Sequence, residues 1–138
     1  MPFSARTATL MSMSDTNRIF LNPDGYIEVT IEGDQTYMSF ESLRYDAADM
    51  LELLQNQGKK RLGLIDVTKE GKFSPDSNKA AMQILESLPY DKLAICGANR
   101  VYAKIADAII LAMGKSHNTR VFAERQPALE WLQETNES

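Results

Sequence analysis

The spacing of apolar residues changes several times along the chain, and each change predicts a different element. A short apolar run at residues 18–21 is followed by the turn sequence of residues 22–25 and then by residues 26–32, where apolar and polar residues alternate. Alternation with period two is typical of a strand with one buried face, and Pro and Gly on either side of an Asp favour a tight turn. These residues therefore predict an antiparallel hairpin that ends at Gly33-Asp34.

From Ser39 onward, apolar residues recur every three or four positions, which indicates an amphipathic helix. Ser39 is the predicted N-cap, Glu41 suits the positive first turn, and Gly58 suits a left-handed position just after the helix. The predicted buried stripe consists of Phe40, Leu43, Ala47, Met50, Leu51 and Leu54.

Three further strands are predicted. Residues 62–67 and 93–97 are apolar without alternation, as expected for strands covered on both faces of a parallel sheet, and residues 119–122 form a last short strand. Residues 69–72 are polar and predict a loop after the first of these strands.

Three more helices follow from cap and stop signals. Ser74 and Pro75 open the first, Pro89 stops it, and its predicted buried residues are Ala81, Ile84, Leu85 and Leu88. Asn99 caps the next helix, which runs from Arg100 to Met113 and is closed by Gly114. The last helix covers residues 124–132.

The resulting order, β-β-α-β-α-β-α-β-α, predicts an α/β fold with a mixed, mostly parallel sheet packed with helices. We expect one domain over residues 17–135, a length typical of single domains. Residues 1–16 are rich in Ser, Thr, Ala and Met and predict a disordered tail, in which Met11 and Met13 are alternative translation starts to Met1.

Three segments carry a resemblance to a known family. They are residues 64–68 (LIDVT), residues 88–97 (LPYDKLAICG) and residues 120–132, where Arg-Val-Phe is followed by Ala-Leu-Glu-Trp-Leu. On these segments the chain resembles the SpoIIAA-like proteins of the STAS/SEC14-type group over residues 18–133. The resemblance implies a central mixed sheet with helices on it, in agreement with the order above.

What the resemblance implies about function comes from two kinds of relative. Anti-sigma-factor antagonists of the group are switched by phosphorylation of a Ser at a helix start, in an Asp-Ser-Ser-Gly type motif. This chain departs from that motif, because residues 69–73 separate Thr68 from the helix opening at Ser74. The phosphoswitch is therefore not carried over. Other relatives resemble lipid-binding domains, which implies a small hydrophobic ligand.

Composition excludes several classes of function. Of 138 residues, 43% are hydrophobic and 25% charged, and the net charge of −4 argues against non-specific nucleic-acid binding. One Cys and one His exclude an intrachain disulfide and leave little for a metal site, so we expect neither a metal nor another cofactor. The sequence has no apolar segment of transmembrane length and no secretory signal, and we expect a cytoplasmic location.

Candidate site residues gather at the predicted carboxyl ends of strands, where open α/β sheets bind ligands. Asp66 is either a base, metal ligand or ribose contact, or an acceptor for backbone amides of its own loop, and Thr68 follows it. Asn99 and Arg100 lie at a strand-to-helix turn that either holds an anion or is only a tight turn.

The serines at the start of the second helix and the single cysteine each have both a structural and a chemical interpretation. Ser74 and Ser77 are at a helix start that favours added phosphate, although capping explains both. Cys96 lies in an apolar strand and is expected to be a buried hydrophobe rather than a nucleophile paired with His117.

The third helix is apolar around most of its circumference, with only Lys104 and Asp107 polar after Arg100. Three interpretations remain open: burial on most sides, a homodimer interface, or contact with a ligand or lipid, either as the wall of a pocket or at a membrane surface. The residues that would form a partner or ligand surface there are Tyr102, Ile109, Ile110 and Met113. We expect a non-enzymatic interaction or regulatory module that forms a homodimer, with hydrophobic-ligand binding as the alternative.

Overall fold

The hairpin at the start of the chain leads into the sheet. The computed structural model describes residues 17–134, in which β1 (Arg18–Asn22) pairs antiparallel with β2 (Tyr26–Gln35). The amide of Gly25 donates to the carbonyl of Asn22 at 2.9 Å, and Gly25 has the positive φ of +96° that this turn requires. The predicted turn is confirmed.

Seven elements follow the hairpin in the predicted order. Five strands lie side by side in the order β1-β2-β3-β4-β5, and all neighbours after β1 and β2 are parallel. The predicted fold class is therefore confirmed. The elements are α1 (Tyr37–Asn56), β3 (Leu62–Phe73), α2 (Pro75–Ser87), β4 (Lys92–Cys96), α3 (Arg100–Ala112), β5 (Thr119–Phe122) and α4 (Arg125–Leu132).

The sheet has an apolar core on each face. Ile27, Val29 and Ile31 of β2 pack with residues of α1 and α2 on one face, because alternate residues of a strand point the same way. The opposite face packs against α4, where Trp131 joins a cluster built around Leu64, which is fully buried. The strands nearest the middle are thus covered on both sides, as their continuous apolar runs predict.

The predicted polar loop at residues 69–72 is wrong, because these residues continue β3. They pair with the end of β2, with Lys69 opposite Glu32 and Phe73 opposite Gln35. The pairing of β4 with β3 stops where Cys96 meets Asp66, so this extension of β3 has a partner strand on one side only. Its polar residues suit that exposed position.

The predicted start of α1 is also wrong, by a few residues. Thr36 is the N-cap, and its hydroxyl accepts from the amide of Ser39 at 3.1 Å. The hydroxyl of Ser39 in turn accepts from the amide of Thr36 at 2.9 Å, which completes a capping box. Glu41 lies beyond the first turn and pairs with Arg44 at 2.8 Å.

The other cap and stripe predictions are largely confirmed. Most of the predicted stripe of α1 is buried, and Gly58 has a φ of +73°. Ser74 and Asn99 are the N-cap residues of α2 and α3, and Gly114 follows α3 with a φ of +72°. In α2 the buried residues are Ser77, Ala80 and Ile84, whereas Ala81 and Leu85 are half-buried.

Candidate functional site

Asp66 and Thr68 lie at a bulge where the ladder between β2 and β3 slips by one residue. Thr30 pairs with Asp66, but Glu32 pairs with Lys69, so β3 holds one extra residue at this point. The Oδ1 atom of Asp66 accepts from the amide of Thr68 at 2.9 Å. This contact gives the carboxylate a structural role in closing the bulge, which is the interpretation that the sequence favours.

The end of β4 is pressed against this bulge at Gly97. Gly97 has a φ of +88°, and a Cβ there would collide with the Thr68 hydroxyl and lie 3.1 Å from Oδ1 of Asp66. Only glycine satisfies both the left-handed conformation and the close approach. A carboxylate this near the turn also disfavours an anion.

The turn into α3 uses its polar side chains for capping. The Oδ1 atom of Asn99 accepts from the amide of Tyr102 at 2.9 Å and so occupies one of the free donors of the helix start. Arg100 is exposed to solvent at the first position of the helix. The neighbourhood of Asp66 and Thr68 includes Gly97, two residues before Asn99, and the hydrogen bonds of Asp66 and Asn99 serve the backbone.

Ser74 lies far from this neighbourhood, because β3 runs on beyond Thr68 for five residues, to Phe73, or about 16 Å. Ser74 occupies the N-cap position of α2, but its hydroxyl donates to Oδ1 of Asp76 at 2.7 Å and makes no capping hydrogen bond. The expectation that capping explains this serine is therefore wrong. Ser77 is fully buried, and its hydroxyl donates to the Ser74 carbonyl at 2.7 Å.

Cys96 and His117 are not brought together. Cys96 ends β4 and is 1% exposed, and burial, with a contribution from Asp66, raises the pKa of its thiol to about 11. His117 lies just before β5, at the other end of the strands, where the carbonyl of Asn118 accepts from the amide of Leu93 at 2.8 Å. The prediction that Cys96 is a buried hydrophobe is confirmed.

An ion pair that the sequence did not indicate joins α4 to β2. Arg125 Nη1 lies 2.8 Å from Oε2 of Glu28, whose side chain is nearly buried, and Nδ2 of Asn22 donates to Oε1 of Glu28 at 3.1 Å. The hydrogen bond that Arg125 donates to Glu28 raises the pKa of Arg125 further above its ordinary range. Only the polar face of β2, which includes Glu28, offered a signal for it in the sequence.

Helix α3 exposes most of its apolar residues, which excludes burial on most sides. Of its thirteen residues, all within the described part of the chain, Ile110 alone is buried, at 2% exposure. Tyr102 is 41% exposed, Ile105 52% and Val101 68%. Ile109 and Met113 are half-buried. Ile110 therefore anchors the helix to the sheet, while the opposite side of the helix faces outward.

We call the row of Val101, Ile105, Ala108 and Ala112 the outward row of α3. All four residues are exposed, and their spacing of four, three and four places them along one side of the helix. Ile109 and Tyr102 border the row on one flank, while Lys104 borders it on the other. The sequence shows that these residues are apolar, but its periodicity does not show which side of α3 packs against the sheet.

An apolar cavity of about 30 Å³ lies between the sheet and helices α1 and α2. Residues from Ile27 in β2 to Leu93 in β4 line it, and none comes from α3. Across residues 17–134 no cluster of three or more His, Cys, Asp or Glu side chains is arranged to hold a metal. Within the same residues no helix is long and apolar enough to cross a bilayer.

Comparison with known proteins identifies the fold. No protein-family model and no curated protein matches the chain. The crystal structure of an uncharacterised DUF3478-family protein from Shewanella loihica PV-4, which has a SpoIIAA-like fold, matches with a TM-score of 0.60. The two chains are 18% identical, and the match covers 84% of this chain and 93% of the other. The expected SpoIIAA-like fold is thereby confirmed.

Proposed function

We propose that this SpoIIAA-like chain is a non-enzymatic interaction module whose partner-binding surface is the outward row of α3. The observation that carries the proposal is the exposure of large apolar side chains on one side of a single helix. Val101 and Ile105 are more than half exposed, although burying each of these apolar side chains would lower the free energy. Contiguous exposed apolar surface is typical of sites that another molecule covers.

The side chains at the carboxyl edge of the sheet have structural roles, which is weaker support for catalysis than the exposed α3 surface is for binding. Asp66 accepts a backbone amide, and Asn99 caps a helix. The raised pKa of Cys96 keeps its thiol protonated near neutral pH, which disfavours nucleophilic chemistry.

Binding of a small hydrophobic ligand is the competing function. A cavity of about 30 Å³ is well below the roughly 150 Å³ that accommodates a molecule as small as benzene. Because α3 contributes no residue to that cavity, the exposed helix does not act as its wall. These two observations disfavour an enclosed ligand in this cavity.

Site-specific photo-crosslinking in cells of the natural source tests the proposal. A photoreactive residue replaces Ile105 in one variant and Tyr45 of α1 in the control, since Tyr45 is 62% exposed and outside α3. We expect a discrete protein adduct from position 105 that is absent from position 45. Equal labelling at both positions, or no protein adduct from position 105, would contradict the proposal.

A further inference from the structure

We infer that the partner on the outward row is a second copy of this chain, with the two α3 helices packed antiparallel about a two-fold axis. The inference rests on the proposed function and names the occupant of the same surface. Three properties of α3 carry it: the symmetry of the row, the sizes of its residues, and the positions of its charges.

The spacing of the outward row is the same in both directions along the helix. From Val101 to Ala112 the steps are four, three and four residues, the spacing of a helix–helix seam. A two-fold axis passing between Ala106 and Asp107 therefore places all four positions of one copy against the four positions of the other. A symmetric dimer requires a surface that is complementary to itself, and this row meets that condition.

Residue size selects the antiparallel arrangement. The two larger residues, Val101 and Ile105, lie in the first half of α3, and the two alanines lie in the second half. Antiparallel pairing sets Val101 against Ala112 of the second copy and Ile105 against Ala108 of the second copy, so each large side chain meets a small one. Parallel pairing would set alanine against alanine and leave voids, which close-packed interfaces avoid.

Charge favours the same arrangement. Lys104 and Asp107 are exposed and lie on the same flank of α3. In the antiparallel pair, Lys104 comes within about 3 Å, measured along the helix axis, of the level of Asp107 of the second copy. In a parallel pair, the flank of Lys104 would meet the opposite flank of the second copy, which holds Tyr102 and Ile109 and offers no acidic partner.

The contact is small, which sets the expected affinity. At thirteen residues, α3 is about 20 Å long, and a pair of such helices buries less than the roughly 1,200 Å² of a stable interface. The dimer is therefore expected to be weak and to exchange with monomer.

Disulfide trapping between two single-cysteine variants tests both the partner and the direction. Val101→Cys and Ala112→Cys are oxidised separately and as an equimolar mixture, with folding verified by circular dichroism. Native Cys96 does not compete, because it is buried and its thiol pKa is about 11. In the antiparallel pair, position 101 lies about 16 Å along the axis from position 101 of the second copy, too far for a disulfide.

We expect the mixture to give several-fold more disulfide dimer than either variant alone, with a peptide linking positions 101 and 112. A mixture of Val101→Cys with Leu53→Cys is the control, because Leu53 is 46% exposed but lies on α1. Adding Ile105→Glu to both partners should abolish the product.

Two outcomes would overturn the inference. Dimers that form equally well from each variant alone would show parallel pairing or random collision. No enrichment in the mixture, combined with a photo-adduct of another protein at position 105, would leave the proposed function standing and exclude the second copy as its partner.

Discussion

Helices α1 and α3 are both apolar over much of their length, but within residues 17–134 only α1 is covered by other elements. Six residues of α1 are buried, including Leu54 at 1% exposure, whereas α3 buries Ile110 alone within the described chain. α1 packs against β2 and α2, while α3 packs beside β5, the four-residue strand at the edge of the sheet. Position in the sheet, rather than apolar content, decides which helix contributes a complete core face.

Two neighbouring leucines of α1 give the largest expected contrast in stability. Leu54→Ala should lower the free energy of unfolding by about 2–5 kcal/mol, because it removes buried methyl groups and leaves a cavity. Leu53→Ala, at a position that is 46% exposed, should cost less than about 1 kcal/mol. Urea denaturation of both variants measures the difference, and equal costs would contradict the assignment of the buried face.

The turn before α3 should be less tolerant than the turn after it. Gly97→Ala should cost about 2–4 kcal/mol, because it adds a collision with Thr68 to the strain of a left-handed alanine. Gly114→Ala has a similar φ and an open surrounding, so only the strain of about 1 kcal/mol applies. A Gly97→Ala protein as stable as Gly114→Ala would show that β3 and β4 do not meet as described.

Truncation within the outward row should hardly change the stability of the monomer. Ile105→Ala should alter the free energy of unfolding by less than about 1 kcal/mol at sub-micromolar protein, because the side chain is 52% exposed. A loss as large as that of Leu54→Ala would show that the chain itself covers α3, and the contrast between the two helices would fail.

The smallest effect is expected in the extension of β3. Burial raises the pKa of Glu70, so the folded state favours the protonated acid. The contribution of Glu70 to folding stability is fully present below the ordinary pKa of a glutamic acid, where the side chain is protonated in both states. This contribution is lost as pH rises through the raised pKa of the folded state. Glu70→Gln should therefore raise Tm at pH 7 and leave it unchanged near pH 3.5. A variant with the same pH dependence as the wild type would contradict this effect.

Local sequence signals predicted the fold well where the interacting groups lie within one short segment. The Asn22–Gly25 turn and the Asn99 cap are examples, since the interacting groups lie within three residues of each other. The extension of β3 was missed because its residues are polar and its partner, the end of β2, is more than thirty residues away in the chain. Pairing over that distance leaves no local signal.

At the candidate site, too, the sequence predicted the local contacts but not the contacts between distant parts of the chain. The sequence identified Asp66 and Thr68, and the hydrogen bond between them is local. It could not show that Ile110 faces the sheet while Ile105 faces outward, because α3 is apolar on both sides and periodicity needs a polar side for contrast. The contact between Glu28 and Arg125 joins residues that only the folded sheet brings together.

Sedimentation velocity of the wild type and of Ile105→Glu measures whether a second copy covers the outward row of α3. From about 1 to 300 μM, we predict that the wild type shifts from monomer toward dimer and that Ile105→Glu remains monomeric. Leu53→Glu, an equally disruptive change on the exposed side of α1, should dimerise like the wild type. A wild type that remains monomeric throughout, or an Ile105→Glu protein that dimerises equally well, would show that the outward row is not a dimer interface.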